Sequence, residues 1–459
     1  MSSTTSFGRP LFLLRGGTRP DAVAATVTAL RERIDAGGRG AGPQPLLVPI
    51  GPGEDEVTVA SDLSRRLDPA GPAAAPDVDV LLRTSGSTTG TGALVAMSMS
   101  ALTASARATH ARLGGGGTWV LALPAHHIAG LQVLVRSILA GTAPVIVDTS
   151  GGFDPGALAD GLECALNADH GPVRVSLVPI QLMRALAPGQ ERAAAALARA
   201  DAVLLGGAAV DPALLERARA AGVRVVTTYG MSETGGGCVY DGVPLDGVKA
   251  RIENPDADGV GRIVLSGTVL ARGYADDATG HTAVFRDRRV RGAAAESGEV
   301  ARGSGDAGGR PSTVAGRELL TGDLGRVMTG PDGIRRLAVL GRVDDVIITG
   351  GIKVAPREVE QVLTVLPGVG QACVVGLPHA QWGCAVAAVV VPEMGGDVGD
   401  PRAWARRLRA EARERLDGAH TPKRILIVEA LPLRGPGKVD RRAVARLAEE
   451  AGGLAQDSE

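Results

Sequence analysis

The alternation of two hydrophobic periods between residues 119 and 230 constrains the fold of this chain most strongly. Short apolar runs typical of buried strands alternate there with Ala/Leu/Arg segments of helical period. The strand-like runs are 119–124, 144–148, 173–179, 202–207 and 223–230. Strands that alternate with helices in this way predict an α/β core whose strands are mostly parallel.

The texture of the sequence changes on either side of this core. Before residue 80, helical stretches alternate with Gly/Pro-rich links, and after about residue 240 short strands and turns indicate a β-rich subdomain. Residues 286–316 are rich in charge and glycine, which predicts a flexible surface insertion.

A compact strand–helix–strand pattern begins near residue 340 and predicts a small α/β domain. With 459 residues, of which 44% are hydrophobic, the chain can fill more than one core. We therefore expect a large N-terminal domain over residues 1–340, with α/β layers and a β-rich subdomain, and a small mobile C-terminal domain over 341–459.

Charge and cysteine content narrow the classes of partner. A formal net charge of -1 gives no global field that would attract nucleic acid or an anionic membrane. The four cysteines form no CxxC pair, so neither a disulfide framework nor a zinc site is expected. No apolar run approaches the ~18 residues of a membrane span. We expect a cytoplasmic protein. These features do not decide between a monomer and a homo-oligomer.

The segment 84–92, TSGSTTGTG, directly follows a predicted strand and precedes a helix-like run. Small hydroxyl and glycine residues let backbone N–H groups close around a polyphosphate, although such runs are often plain loops. The segment is not a Walker loop, because GxxxxGK[ST] is absent. Its candidate phosphate-binding residues are Thr84, Ser85, Gly86, Ser87, Thr88 and Thr89.

Eight motifs that follow one another in order resolve this ambiguity. They are TSGSTTGTG (84–92), LPAHHIAG (123–130), SLVPIQLMRAL (176–186), LLGGAAV (204–210), TTYGMSET (227–234), TGDLGRV (321–327), LGRVDDVIITGGIKVAPREVE (340–360) and GPGKVDRR (435–442). Together they resemble the acyl-adenylate-forming (AMP-binding) superfamily. The resemblance implies an enzyme that uses ATP and Mg²⁺ to activate a small carboxylic acid as its acyl-adenylate, with coenzyme A as co-substrate.

The resemblance also implies a role for each motif residue. Tyr229 would face adenine, Glu233 would hold Mg²⁺, and Asp323 with Arg342 would bind the ribose hydroxyls. Further nucleotide contacts are expected from the neighbouring motif positions, which are Gly207, Ala208, Thr228, Gly230, Met231, Ser232 and Thr234.

Lys438 resembles the lysine that stabilises negative charge during adenylation, and only four lysines occur in the chain. Asp344 matches the hinge between the domains. Gly350, Gly351 and Lys353 would belong to the coenzyme A side of the reaction. Two departures stand out: the phosphate loop lacks the lysine usual in TGxPKG, and the region before residue 80 is short.

For the acid itself, His126 and His127 are candidate gate residues of the acyl pocket, with His127 the third catalytic candidate beside Lys438 and Glu233. Within the superfamily the motifs look most like the o-succinylbenzoate–CoA ligases of menaquinone biosynthesis. Such a dicarboxylate needs a partner for its second carboxylate, and Lys249 is a candidate. Another acid–CoA ligase, a stand-alone enzyme that loads a carrier protein, and a non-catalytic nucleotide-binding paralogue are the alternatives.

Overall fold

The computed structural model describes residues 3–4, 9–37, 44–84, 92–168, 170–276, 283–288, 315–393, 398–434 and 438–456. Helices are α1 (Pro20–Ala36), α2 (Glu56–Arg66), α3 (Met99–Arg112), α4 (Ile128–Ala140), α5 (Pro155–Asn167), α6 (Pro179–Ala185), α7 (Glu191–Arg199), α8 (Pro212–Ala220), α9 (Pro356–Thr364), α10 (Pro401–Arg413) and α11 (Arg441–Gln456). Within the described ranges, no helix is both long and apolar enough to cross a bilayer.

Local sequence explains several helix starts. Asp154, Asp211 and Asp400 each precede a proline at the first helical position, and each carboxylate accepts a hydrogen bond from a backbone N–H of the first turn. An Asp cap satisfies donors that the helix cannot, and proline has the fixed φ that a first turn needs. The Asp-Pro pairs therefore mark where α5, α8 and α10 begin.

The first sheet is built from the N-terminal segment. Its strands are β1 (Ser3–Thr4), β2 (Pro10–Arg15), β3 (Leu46–Ile50), β4 (Val80–Arg83) and β5 (Leu94–Met97). Strands β2, β3 and β4 are parallel, and β5 runs antiparallel to β4. The short region before residue 80, interpreted from its sequence as helices and links, thus also supplies strands, because apolar runs of five or six residues carry too little periodicity to reveal their state.

The second sheet confirms the predicted parallel core. Its strands are β6 (Thr118–Leu121), β7 (Val145–Ile146), β8 (Val173–Leu177), β9 (Ala202–Leu205), β10 (Val225–Met231), β11 (Gly236–Tyr240) and β12 (Val243–Pro244), in the order β12-β11-β10-β9-β8-β6-β7. Strands β6 to β10 are parallel. Their carboxyl ends therefore meet at one edge, where the motifs 204–210 and 227–234 also lie.

The predicted β-rich region follows. Its strands are β13 (Val248–Glu253), β14 (Gly261–Gly267), β15 (Gly273–Tyr274), β16 (Val284–Arg288), β17 (Ala315–Thr329) and β18 (Arg335–Arg342). Strand β15 returns to pair with β5 of the first sheet. The ends of the predicted insertion 286–316 are not loop, because β16 and β17 pair there as antiparallel strands; residues 289–314 lie outside the described residues.

The C-terminal part is a smaller α/β unit around its own core. Its strands are β19 (Ile347–Thr349), β20 (Ile352–Val354), β21 (Val369–His379), β22 (Gly383–Pro392), β23 (Arg424–Ile427), β24 (Leu433–Arg434) and β25 (Lys438–Val439). Helices α9 and α10 pack on this unit with Val359 and Trp404 buried. Within the described ranges, its core clusters contain no residue before Ile347; the domain boundary after residue 340 stays a prediction.

We predict that the two parts unfold separately. Trp404 is 2% exposed in the C-terminal core, so Trp404→Ala should lower the free energy of unfolding of that part by about 3–5 kcal/mol. In differential scanning calorimetry, one of two transitions should shift while the other stays. The exposed Arg402 on the same helix provides the control, since Arg402→Ala should change stability by less than about 0.5 kcal/mol. A single transition that shifts as a whole would contradict the separation.

Candidate active site

A cleft of about 1840 Å³ lies between the carboxyl edge of the second sheet and the C-terminal unit. Most residues predicted from the motifs line it, although they are spread over more than 300 positions of the sequence. The predicted residues on its walls are Thr84, His126, His127, Gly207, Ala208, Thr228, Tyr229, Gly230, Met231, Ser232, Glu233, Asp323, Arg342, Asp344 and Lys438.

The turn after β10 presents Glu233 to the cleft. Glu233 is 9% exposed, and its carboxylate accepts a hydrogen bond of 2.8 Å from the hydroxyl of Tyr274. Tyr274 lies on β15, 41 residues further along the chain. No sequence pattern predicts this pairing, because it depends on the return of β15 to the first sheet.

Glycine at position 230 is required by the packing of this turn. A Cβ atom there would lie 2.1 Å from the carbonyl oxygen of Gly236, which no other residue tolerates. Gly206 is restricted in the same way, since its Cβ would meet the Thr228 hydroxyl at 2.2 Å. Close packing therefore fixes both glycines at the part of the cleft wall formed by the ends of β9 and β10.

Thr234 does not line the cleft. Its side chain is fully buried, accepts a hydrogen bond from the Met231 N–H at 2.9 Å and donates to the carbonyl of Gly236 at 2.7 Å. This hydroxyl closes the turn that carries Glu233, and the expected nucleotide contact of Thr234 stays a prediction without support from this arrangement.

Tyr229 and Asp323 meet across the cleft. The Tyr229 hydroxyl donates to the Asp323 carboxylate at 2.8 Å, and Arg342 lies opposite Asp323 in the β17–β18 register. Burial raises the pKa of Asp323, while the Tyr229 hydroxyl and the Arg342 charge oppose the rise. An acceptor and a cationic donor thus face the same space, as the recognition of a diol requires.

The adjacent histidines occupy the cleft wall as neutral rings. The N–H of Gly17 donates to Nδ1 of His126 at 3.0 Å, so Nε2 carries the proton of its neutral ring. The two ring centres lie 4.2 Å apart. Burial, with the charge of Lys438 adding to it, lowers the pKa of His127 to about 4. Both are therefore hydrogen-bonding groups rather than cations at neutral pH.

Lys438 reaches the cleft from the C-terminal unit, on β25. Its side chain stays accessible to the open cleft, yet protein surrounds it on enough sides that loss of hydration lowers its pKa. The carboxylates of Glu233 and Asp323 oppose this effect, and Arg342 adds to it. The ammonium thus shares a field with the groups that the motifs assign to the metal and the ribose.

The base of the predicted phosphate loop is closed by Thr84. Its hydroxyl accepts a hydrogen bond from the Ala93 N–H at 2.8 Å, and its own N–H donates to the Ala93 carbonyl at 2.9 Å. Arg83 precedes it on the cleft wall and pairs with Glu54 at 2.7 Å. The candidates Ser85, Gly86, Ser87, Thr88 and Thr89 lie outside the described residues.

Two groups of predicted residues lie away from the cleft walls. Lys249 is exposed on β13 opposite Ser266 and does not line the cleft, so its assignment to the substrate stays a prediction without support from this arrangement. Gly350, Gly351 and Lys353 lie on the β19–β20 hairpin, where both glycines have positive φ (56° and 85°). Their place outside the walls leaves the coenzyme A role a prediction.

Sequence reasoning missed Arg136, which lies at the cleft on α4. Arg136 is 4% exposed and its Nε atom has no hydrogen-bond partner among the described residues. Its guanidinium carbon lies 5.0 Å from the ring centre of Trp119, and one nitrogen approaches the Tyr240 hydroxyl at 3.4 Å. The only signal was a single charged residue within a mostly apolar helix.

Two more polar atoms without partners line the same cleft. Gln132 lies one turn before Arg136 and is fully buried; its Nε2 donates to Leu102 at 3.1 Å, while its Oε1 has no partner among the described residues. The Ser176 hydroxyl at the end of β8 is likewise buried without a partner in that set. Buried polar groups are rarely left so, and this part of the wall is therefore suited to a polar ligand.

Glu233 fits a magnesium ion that arrives with a nucleotide. Mg²⁺ is usually held by one or two carboxylates together with substrate phosphates and waters. Among the described residues, no group of three or more His, Cys, Asp or Glu side chains could cage a metal. The donor set thus suits a nucleotide-bound ion.

The fold and cleft define an adenylate-forming architecture: a large α/β domain, and a small C-terminal domain that brings a lysine to the cleft between them. A family model described as AMP-binding enzyme matches residues 27–275, and one described as AMP-binding enzyme C-terminal domain matches 358–438. This chain belongs to the AMP-binding enzyme family.

Individual relatives agree with this assignment. A probable 2-succinylbenzoate–CoA ligase of Mycobacterium tuberculosis is 40% identical over 88% of this chain and 92% of its own. A feruloyl-CoA synthase of Amycolatopsis sp is 30% identical over 71% of this chain and 61% of its own. The predicted enzyme class, an AMP-forming acyl-CoA ligase, is confirmed by the family and these ligases.

A solved structure supports the fold. The o-succinylbenzoate CoA synthetase from Bacillus subtilis, in complex with its acyl-adenylate intermediate, superposes with a TM-score of 0.62 at 22% identity. The superposition covers 94% of this chain and 87% of that one. The predicted fold class is confirmed over both domains.

The low pKa of His127 predicts a pH-dependent loss of stability. In the folded chain the pKa of His127 is about 4, below the ordinary value of 6.5. Between pH 6.5 and pH 4, His127 therefore binds a proton in the unfolded chain but stays neutral in the folded chain. This residue should therefore cost about 2 kcal/mol of stability between pH 7 and pH 5, and almost nothing above pH 7.

Denaturant unfolding at both pH values measures this loss. In His127→Gln the difference between pH 7 and pH 5 should shrink by that amount, whereas His170→Gln, at an exposed histidine, should leave it unchanged. The same pH difference in His127→Gln and the original protein would refute the buried neutral ring.

Proposed function

We propose that this enzyme forms a CoA thioester from 2-succinylbenzoate through an acyl-adenylate, in menaquinone biosynthesis. The observation that carries the choice of acid is the buried Arg136 guanidinium, with its unpartnered Nε, on the wall of a cleft suited to an acyl-adenylate. The M. tuberculosis relative, a probable ligase of this acid, points the same way.

An arginine in this position is costly to the protein alone. Burial lowers the pKa of Arg136, and only the Tyr240 hydroxyl opposes the effect. Within the described part of the chain, no carboxylate pairs with it. Removing a cation from water costs several kcal/mol unless a partner compensates it. A second carboxylate on the substrate would supply that partner, with Gln132 and Ser176 as nearby polar groups.

The first half of the reaction joins the other carboxylate to AMP. The acid attacks the α-phosphate of ATP, and pyrophosphate leaves. Mg²⁺ bound through Glu233 would reduce the charge on the phosphates. Lys438 places an ammonium where negative charge accumulates, Tyr229 offers a flat face for adenine, and Asp323 with Arg342 offers an acceptor and a donor for the ribose.

The second half transfers the acyl group to coenzyme A. We infer that the C-terminal domain turns about Asp344, which withdraws Lys438 and brings Gly350, Gly351 and Lys353 to the cleft. The thiolate of coenzyme A then attacks the acyl carbon and AMP leaves. His127 would orient the acyl carbonyl as a neutral hydrogen-bonding group.

The runner-up proposal is a ligase for another acid. One relative of the chain is a feruloyl-CoA synthase, and ferulate is an aromatic acid with one carboxylate. Loading of a carrier protein would use the same adenylation residues. A non-catalytic paralogue is disfavoured by the joint presence of Glu233, Asp323, Arg342 and Lys438 on one cleft.

Thioester formation, followed by mass spectrometry with ATP, Mg²⁺ and coenzyme A, tests this proposal. The panel is 2-succinylbenzoate, ferulate, benzoate, a medium-chain fatty acid and acetate. We expect a CoA product with 2-succinylbenzoate at a kcat/KM at least about a hundredfold above the others. A product from ferulate alone would favour the runner-up, and adenylates without a CoA product would indicate carrier loading.

Arg136 should determine the preference for a second carboxylate. Two analogues each lack one carboxylate of the acid: 4-oxo-4-phenylbutanoate and 2-butanoylbenzoate. Arg136→Met keeps the approximate volume and removes the charge, and should lower kcat/KM for 2-succinylbenzoate about 10- to 100-fold. For whichever of the two analogues the unmodified enzyme activates, Arg136→Met should change kcat/KM much less than for 2-succinylbenzoate.

Lys249→Met is the matched control, because Lys249 is exposed outside the cleft. The Lys249→Met enzyme should prefer 2-succinylbenzoate over the two analogues as strongly as the unmodified enzyme does. An unchanged preference in Arg136→Met would remove the argument for a dicarboxylic substrate.

A further inference from the structure

An ion cluster lies behind Lys438 in the C-terminal unit. Arg441 is its centre: Nε approaches the Asp345 carboxylate at 3.3 Å, and two nitrogens bind the Glu360 carboxylate at 2.7 and 3.0 Å. Arg441 also donates to the Val374 carbonyl at 2.7 Å. Such forked contacts fix a guanidinium in one orientation.

The cluster is anchored in the C-terminal core. Glu360 lies on α9, and its carboxylate also accepts the N–H of Val374 on β21 at 2.8 Å. Burial and the nearby Glu360 act in opposite directions on the pKa of Arg441, with a net rise. The guanidinium is therefore a fixed cation on a rigid surface.

Few contacts of its own hold Lys438 in position. Within the described ranges, no hydrogen bond or ion pair holds its ammonium, and β25 is a short strand paired only with β24. Asp440 lies two residues after Lys438. Its carboxylate accepts a hydrogen bond from Arg434 at 2.9 Å and others from the N–H groups of Arg442 and Ala443 at the start of α11. Arg441 then ties the start of α11 to the rest of the unit.

The other end of the cluster is at the hinge. Asp345 directly follows Asp344 in the 3₁₀ turn Val343–Asp345, and Asp344 approaches Arg342 at 3.5 Å. The contact between Asp345 and Arg441 therefore joins the hinge turn to a residue three positions after Lys438. This connection is made by two side chains that lie far apart in the sequence.

We propose that Arg441 is a positioning residue that couples the hinge turn to Lys438 through Asp345. With this contact made, the setting of the hinge fixes where the ammonium stands during adenylate formation. The inference rests on the proposed adenylation chemistry. Its consequence is that the contact matters for the half-reaction that uses Lys438 and not for the one from which Lys438 is withdrawn.

Asp345→Asn is the most informative variant. It keeps the shape of the side chain and removes the charge, while Glu360 continues to hold Arg441 in the core. Glu360 is a poor choice, since its replacement would also free the Val374 N–H. Arg441→Lys is a second variant, because one ammonium cannot reproduce the fork toward both carboxylates.

The test separates the two half-reactions in the full chain, with the acid that the unmodified enzyme activates. ATP–pyrophosphate exchange measures adenylate formation, and thioester formation from pre-made acyl-adenylate measures the second half. Asp345→Asn and Arg441→Lys should slow exchange about tenfold or more, as expected when a charged group is misplaced by about 1 Å. They should change the second half less than about twofold. Arg446→Gln, at an exposed position on the same helix, should change neither.

A Lys438→Ala background shows whether the effect acts through the lysine. There, Asp345→Asn should cause no further slowing of exchange, because residues that act through one group are not additive. Equal slowing of both half-reactions, or the full effect in the Lys438→Ala background, would overturn the inference. Absence of exchange in the unmodified enzyme with every acid would instead refute the proposed function.

Discussion

A hydrogen bond of 2.8 Å between the Tyr274 hydroxyl and the Glu233 carboxylate joins the two sheets at the cleft. Tyr274 belongs to the first sheet through β15, and Glu233 follows β10 of the second. The backbone adds a link, since the Ala271 N–H donates to the Glu233 carbonyl at 2.8 Å. A buried carboxylate that loses its donor costs more than the bond contributes. The candidate metal-binding group and the packing of the two sheets are therefore fixed together.

Charge is distributed unevenly around this joint. Glu233 and Asp323 lie near Lys438, whereas Arg136 is buried deeper without an acid among the described residues. Neutral His127 adds no charge at pH 7, because burial lowers its pKa to about 4. An accessible cation on the C-terminal unit and a buried cation on α4, both on the cleft wall, would suit a ligand that is anionic at both ends. A monocarboxylate would leave the inner cation uncompensated.

Much of the fold follows from the sequence, because parallel strands buried on both faces give apolar runs, as at 173–177 and 202–205. Ordered motifs located Tyr229 and Lys438. Tyr274 and Arg136 were not predicted, because the contacts of both side chains arise from tertiary packing. Tyr274 lies on a strand of two residues. Arg136 lies on a mostly apolar helix, where an arginine normally extends to solvent. The charge of Lys249 made it a candidate, but charge alone does not indicate that the residue is exposed on β13 outside the cleft walls.

The proposed mechanism gives a physical reason for the separation of Lys438 from the main sheet. In that mechanism the ammonium stands near the phosphates while the acid attacks and is absent when a thiol approaches, and a packed sheet cannot deform to allow both. A residue beyond a hinge can do so, but few core contacts then hold it. Loss of hydration lowers the pKa of Lys438, while the carboxylates of Glu233 and Asp323 oppose that effect. A bound triphosphate would favour the charged ammonium in the same way as these carboxylates, so nucleotide binding would favour the arrangement in which Lys438 reaches the cleft.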